Sequence, residues 1–304
     1  MTKRDYLTVD SLTSEELTKL LDSADELKRD RRQRDDLSGK SIAMIFEKPS
    51  TRTRISFEVG IAELGAHPVI LNASELQLGR GETVEDTARV LSRYVHAVVV
   101  RTFAQSRLET LASAGTIPVI NALSDFAHPC QALADLQTIR EHRGSLTGMK
   151  LAYLGDGNNV AHSLLKAGAL AGMHVAVGTP AGYEPIPQVV RSAEELARET
   201  GGRITVTQDP LEAAADADVV YTDVWASMGQ EGEAQTRMML FRPFQVNGHV
   251  MEAAKDDALV MHCLPAHRGE EIAEDVIDGP NSVVFDQAEN RLHTQKALLL
   301  FLLA

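Results

Sequence analysis

The sequence predicts an α/β protein of two domains, each a parallel sheet flanked by helices and joined by interdomain helices. Three observations predict it. Short apolar runs alternate with amphipathic stretches through most of the 304 residues. Several runs are apolar without alternation, such as Val98-Val99-Val100 and Val69-Ile70-Leu71, as in strands covered on both faces. The length suits two domains of roughly 100–200 residues each.

The elements follow in order. Thr13-Ser14-Glu15-Glu16 is a capping-box pattern, and Leu17, Leu20, Leu21, Ala24 and Leu27 follow at helical spacing, predicting a helix over 13–30. The Arg-rich stretch 29–34 reads as its solvated end. Strands are predicted at 42–46, 68–71, 97–101 and 117–121, the first three each leading into a helix-like stretch. Pro129 opens a helix over 129–142, and the loop 144–148 (GSLTG) marks the domain boundary. A second strand series is predicted at 150–154, 174–177, 203–207, 218–222, 258–262 and 282–285. A final helix over 287–303 ends in LLLFLL, which requires burial. The domains are thus 1–143 and 144–286, with 287–304 packing back on the first.

Composition narrows the function. The net charge of −13 argues against a general nucleic-acid binder, which needs a basic surface, yet permits a local positive pocket. No apolar run approaches the roughly 18 residues of a membrane span, and the first residues lack the apolar stretch of a signal peptide. Cys130 and Cys263 cannot make a disulfide framework, so a reducing cytoplasm is the expected compartment.

The sharpest motif is Ser50-Thr51-Arg52-Thr53-Arg54, between a buried strand and a helix pattern. Such a turn aims free backbone N–H groups and the positive end of the helix dipole outward. Hydroxyls and the guanidinium fork of Arg52 suit a phosphate. By itself the segment is equally an ordinary N-cap with solvated arginines. Arg101 ends a strand, where open α/β sheets gather ligands. His128-Pro129-Cys130-Gln131 starts a helix, and its imidazole and amide can polarise a carbonyl or read an amide, although capping alone accounts for it. Gly155-Asp156-Gly157-Asn158-Asn159 approaches a dinucleotide turn, but Val160 replaces the third glycine and the next strand ends without an acid. Asn158 and Asn159 can cap the helix or bind a carboxylate. Asp223 follows a strand and can pair with an ammonium; Ser227 and nearby backbone can take a carboxylate, and Trp225 reads as loop packing. His262-Cys263-Leu264-Pro265 follows the last buried run. Its two donors are too few for a metal, and a buried structural thiol remains open for Cys263.

Taken together and in this order, STRTR, HPCQ and HCLP resemble the carbamoyltransferases, a match running from Ser50 to Arg291. Ser227-Met228-Gly229 and HCLP resemble its ornithine branch; Pro49 departs toward the aspartate enzymes without altering the phosphate donors. The resemblance implies carbamoyl transfer from carbamoyl phosphate to L-ornithine, giving L-citrulline and phosphate for arginine biosynthesis, with no cofactor and no metal. It implies that Ser50, Thr51, Arg52, Thr53, Arg101 and Arg291 bind the phosphate. Thr53, Arg101 and His128 contact the carbamoyl oxygen, and Gln131 with the Leu264 backbone contacts its NH2. Asn159, Asp223, Ser227 and Met228 bind ornithine, and Cys263 lies at the reaction centre, with Arg101, His128, Cys263 and Asp223 in catalytic roles. Gln77 reaches a neighbouring subunit's site, in a homotrimer with shared sites. Other acceptors (putrescine, aspartate, acetylornithine) and an NAD-dependent oxidoreductase are the alternatives.

Overall fold

A computed structural model of the chain describes residues 3–72, 81–226 and 234–304. The chain divides into two compact α/β units: Met1–Ala134 with Glu289–Ala304, and Asp135–Ala288.

In the first unit, helix α1 (Ser14–Arg29) begins with the predicted capping box: Glu16 N–H donates to Thr13 Oγ1 at 3.2 Å, and Thr13 N–H to Glu16 Oε2 at 2.8 Å. Leu17, Leu20, Leu21, Ala24 and Leu27 are its buried face. Then follow β1 (Ser41–Phe46), α2 (Thr51–Glu63), β2 (His67–Asn72), α3 (Val84–Tyr94), β3 (Ala97–Arg101), α4 (Gln105–Ala114) and β4 (Val119–Leu123). The sheet is parallel, ordered β2-β1-β3-β4. β3, the run of valines, is buried along its whole length, as the two-faced covering requires. Phe46 pairs with Arg101, so the ends of β1 and β3 stand level. The chain leaves β1 toward β2 on one side and resumes at β3 on the other. The crevice beyond β1 and β3 is therefore a topological switch point, the usual ligand position in open α/β sheets.

Helix α5 (Pro129–Arg143) is contiguous in sequence with both units, its first six residues belonging to the first and the rest to the second. The second unit continues with β5 (Lys150–Leu154), α6 (Asn159–Leu170), β6 (His174–Gly178), α7 (Pro187–Thr200), β7 (Arg203–Thr207), α8 (Pro210–Ala214) and β8 (Val219–Thr222). α9 (Ala234–Phe241), α10 (Gly248–Ala253), β9 (Leu259–His262) and α11 (Glu274–Ile277) complete it. Its parallel sheet runs β7-β6-β5-β8-β9. Here the switch point lies beyond β5 and β8. Leu154 pairs with Thr222 and Thr222 with His262, so residues 155, 223 and 263 emerge side by side.

One predicted strand is corrected. Residues 282–285 are not a strand: Ser282 makes only an isolated bridge to Val260, and α12 (Val284–Leu303) has already begun. Val283 N–H still donates to Val260 O at 3.0 Å, so the apolar pair at 283–284 registers against β9 for one contact before the chain turns helical. α12 is buried from 290 to 299, and its portion from Glu289 belongs to the first unit. There Lys296, fully buried, donates to Glu63 at 2.8 Å, and Gly60 of α2 lets the helices approach: a Cβ at Gly60 would lie 3.1 Å from Lys296 Cγ. No helix among the described residues is long and apolar enough to cross a membrane.

Candidate active site

Two groups of predicted site residues assemble, one at each switch point. In the first unit, Ser50 is the N-cap of α2 and its hydroxyl accepts from Thr53 N–H at 3.2 Å. Thr51 is exposed, Arg52 half-buried and Thr53 fully buried, so the first turn carries its hydroxyls and guanidinium from surface to interior. The α2 N-terminus keeps further N–H donors and the positive end of its dipole there. Arg101, at the level end of β3, is buried. Arg291 comes from α12 and donates through Nη2 to Thr53 Oγ1 at 2.6 Å. Thus residues 238 positions apart meet at the cradle.

His128 and Gln131, at the start of α5, are both buried in the same unit. Burial, reinforced by the Arg291 and Arg101 charges, holds the His128 imidazole well below its usual range, so it is neutral at neutral pH. A neutral ring beside two guanidinium groups can donate its one N–H to a polarised carbonyl oxygen and is no proton carrier. Cys130 resolves differently. It is fully buried, donates to Asn121 O at 3.3 Å, and burial pushes its thiol up to about 12 despite Arg291 nearby, which makes it a structural thiol. Lys48, just before the cradle, pairs with Asp125 and lies 4.3 Å from the Phe103 ring centroid. This neighbour of Ser50 carried no sequence signal, since its partner is 77 residues away.

In the second unit, Asn158 takes the cap of α6, accepting from Val160 N–H at 2.9 Å and Ala161 N–H at 3.2 Å. Of the asparagine pair, Asn158 caps, and Asn159 is the first helical residue. The Asn158 amide also donates to Asp223 Oδ2 at 3.2 Å. Asp223 Oδ1 accepts from Val224 N–H at 2.8 Å and from the Cys263 thiol at 3.0 Å. None of these donors is a cation. Leu264 follows with φ 57°, in the left-handed region, before the cis Leu264–Pro265 bond.

A buried ion pair that sequence reading did not find braces this cluster. Arg237 of α9 donates to Asp156 Oδ2 at 2.7 Å and to Trp225 O at 2.9 Å, and its guanidinium lies 4.8 Å from the Tyr183 ring centroid. Only the GDGNN turn gave a hint, by placing an acid at a strand end. Trp225 packs tilted on Phe241 at 6.2 Å, as loop packing, and lines a cavity of about 410 Å³ with Met238, Met239 and Arg242.

The glycine turn does not serve a dinucleotide. A Cβ at Gly157 would lie 2.2 Å from Pro185 N and 2.5 Å from Tyr183 O, and Gly157 N–H donates to Tyr183 O at 2.8 Å. Protein backbone occupies the place that the second glycine of a dinucleotide fingerprint keeps open for pyrophosphate. Asp223, His262 and Cys263 bring donor atoms within 4.8 Å of one another, a grouping that HCLP alone did not disclose. The Cys263 thiol is already bonded to Asp223, and His262 Nδ1 accepts from Leu264 N–H at 2.8 Å, so these atoms serve the protein's own hydrogen bonds. Gln77, Ser227 and Met228 lie outside the described residues.

Comparison with known proteins follows the same division. The model for the carbamoyl-P binding domain of aspartate/ornithine carbamoyltransferase matches residues 4–141, and that for the Asp/Orn binding domain matches 147–302. The ornithine carbamoyltransferase of Parafrankia sp. (strain EAN1pec) is 65% identical over 307 residues, covering 100% of this chain and 97% of that protein. The solved ornithine carbamoyltransferase of Pyrococcus furiosus superposes with a TM-score of 0.96 at 56% identity, covering 99% of this chain and 97% of its own. That of Thermus thermophilus gives 0.90 at 45% identity, with 100% of both chains covered.

Proposed function

The chain belongs to the aspartate/ornithine carbamoyltransferase family, and on that premise we propose that it transfers the carbamoyl group of carbamoyl phosphate to the side-chain amine of L-ornithine, giving L-citrulline and phosphate. The observation that carries ornithine as the acceptor is the Asp223 carboxylate, buried at the second switch point and, among the described residues, hydrogen-bonded by neutral donors. An α-ammonium is the complement of such a group. Aspartate carries an α-ammonium too, but its second carboxylate needs a cation, and the donors around Asp223 are neutral.

Ser50, Thr51, Arg52, Thr53, Arg101 and Arg291 hold the phosphate. Thr53, Arg101 and His128 meet the carbamoyl oxygen; Gln131 and the Leu264 backbone meet its NH2. Asn159 and the Met228 backbone take the ornithine carboxylate, with Ser227 beside them, and Asp223 its ammonium. Cys263, donating to Asp223, stands at the reacting end. The acceptor amine, with an ordinary pKa of roughly 10.4, first sheds a proton. Its lone pair forms the C–N bond, the carbamoyl oxygen gathers negative charge, and the C–O bond to phosphate then breaks. The remaining extra N–H proton leaves with the oxyanion released. Guanidinium groups and the α2 N-terminus stabilise both developing charges, and His128, kept neutral, donates without giving up a proton.

The carbamoyl phosphate domain is 1–143 with 287–304, and the ornithine domain is 144–286. The protein works as a homotrimer in the cytoplasm, with Gln77 completing a neighbour's site. Exposed apolar side chains of the first unit, Ile55, Val90 and Tyr94, support association. Side-by-side measurement of citrulline and carbamoyl-aspartate formation tests the function. Citrulline alone is expected; a preference for aspartate overturns it.

A further inference from the structure

We propose that His262 and Glu271 are a positioning pair that sets the Cys263–Leu264–Pro265 turn, and through it the direction of the Cys263 thiol and the Leu264 carbonyl. Both side chains are fully buried. Leu264 N–H donates to His262 Nδ1 at 2.8 Å. A backbone N–H can only donate, so Nδ1 presents its lone pair and the ring proton sits on Nε2. From there it points at Glu271 Oε1, 3.1 Å away. The same carboxylate oxygen accepts from His267 N–H at 2.6 Å. One imidazole–carboxylate couple thereby grips the chain on both sides of the turn, at 264 through the ring and at 267 directly. The root of the couple is fixed in turn: His262 N–H donates to Gln287 Oε1 at 2.9 Å.

The turn needs this grip. Leu264 sits at φ 57°, which side chains with a Cβ rarely adopt, and no glycine is there to make it easy. Glu271 Oε2 is buried and accepts no hydrogen bond among the described residues, 3.7 Å from His267 Nδ1. A buried carboxylate used through one oxygen is a poor way to fill a core, and an apolar side chain of that size would pack there more favourably. Its geometry is explained by the two N–H groups that it directs. Because Cys263 lies between residues held at 262 and 264, its thiol is delivered to Asp223.

The consequence for turnover rests on the carbamoyl-transfer reading; the consequence for the thiol does not. Asn at 262 can accept from the N–H two residues on, as an Asx-type contact, whereas Phe keeps a ring and accepts nothing. Gln at 271 keeps an acceptor oxygen and Leu does not. The rate of Cys263 modification by a thiol reagent and kcat for citrulline are measured in His262→Asn, His262→Phe, Glu271→Gln and Glu271→Leu. Cys130, buried with its thiol pushed up to about 12, does not contribute. The Phe and Leu variants should change the thiol rate and lower kcat by about 10-fold or more, while the Asn and Gln variants stay within about 3-fold of the parent. Equal behaviour of the acceptor-keeping and acceptor-lacking variants, or losses that follow unfolding temperature instead of the acceptor, overturns the proposal. A parent protein that makes no citrulline refutes the carbamoyl-transfer reading alone, and the thiol rates still decide the pair.

Discussion

The two switch points present opposite electrostatics. Beyond β1 and β3 stand guanidinium groups, a helix N-terminus and an imidazole held neutral by burial and by those same guanidiniums. Beyond β5 and β8 stands a carboxylate supported by an amide, a backbone N–H and a thiol. The first is assembled from distant parts of the chain, since Arg291 arrives from the C-terminal helix. The second emerges from three adjacent strand ends in register. The same crossover architecture thus makes a cation cradle or an anion cradle according to what terminates its strands and caps its helices. A chain of net charge −13 can draw an anionic substrate because the field of one crevice, not the total, decides local attraction.

Breaking the cationic side should have the largest effect. Arg52→Ala is expected to weaken carbamoyl phosphate by about 1.5–3 kcal/mol and to lower kcat further, because phosphate charge grows as the bond breaks. Steady-state kinetics with unchanged circular dichroism would establish this; unaltered KM for carbamoyl phosphate would remove Arg52 from the cradle. The anionic side should respond next. Asp223→Asn should lower kcat/KM for ornithine about 10- to 100-fold while leaving carbamoyl phosphate binding near that of the parent. Comparable losses for both substrates would mean that the two crevices are not separable.

Mixing the impaired variants Gln77→Ala and Arg52→Ala sharpens the comparison by asking whether one subunit supplies the whole cradle. Partial recovery of activity in hybrid oligomers is expected, and none after verified subunit exchange would assign the whole site to one chain. The smallest effect concerns stability. Below pH about 6.5 the unfolded chain protonates His128 while the folded chain keeps it neutral, so stability falls with falling pH. Per proton the slope is about 1.4 kcal/mol per pH unit. His128→Asn should flatten the acid limb of a denaturant titration by at most that much, with His293, lowered mainly by burial, accounting for a further part. An unchanged limb would mean that the imidazole is charged in the folded protein.

Much of this was legible because the α/β plan puts chemistry at strand ends. The strands at 97–101, 150–154 and 203–207 have the predicted bounds, and Arg101, Asp223 and Cys263 could be located from where apolar runs stop. Strand 282–285 was misread because two valines in an apolar context do not reveal that the next turn is helical. Long-range partners were also invisible: nothing in the local sequence joins Arg237 to Asp156 or Arg291 to Thr53. Which asparagine of the pair caps the helix needed the helix start itself, and it is Asn158.

The backbone of residues 183–185 fills the space that Gly157 leaves, and this restricts how the protein can diverge. Any side chain at 157 collides with main-chain atoms, which cannot rotate away as a side chain would. Change at 157 must therefore await a shorter or displaced 183–185 segment, and change in that segment is tolerated only while its carbonyl still receives the glycine N–H. The two stretches form one heritable unit. An effort to convert this turn to nucleotide binding would have to begin by redesigning that segment, before any glycine is added.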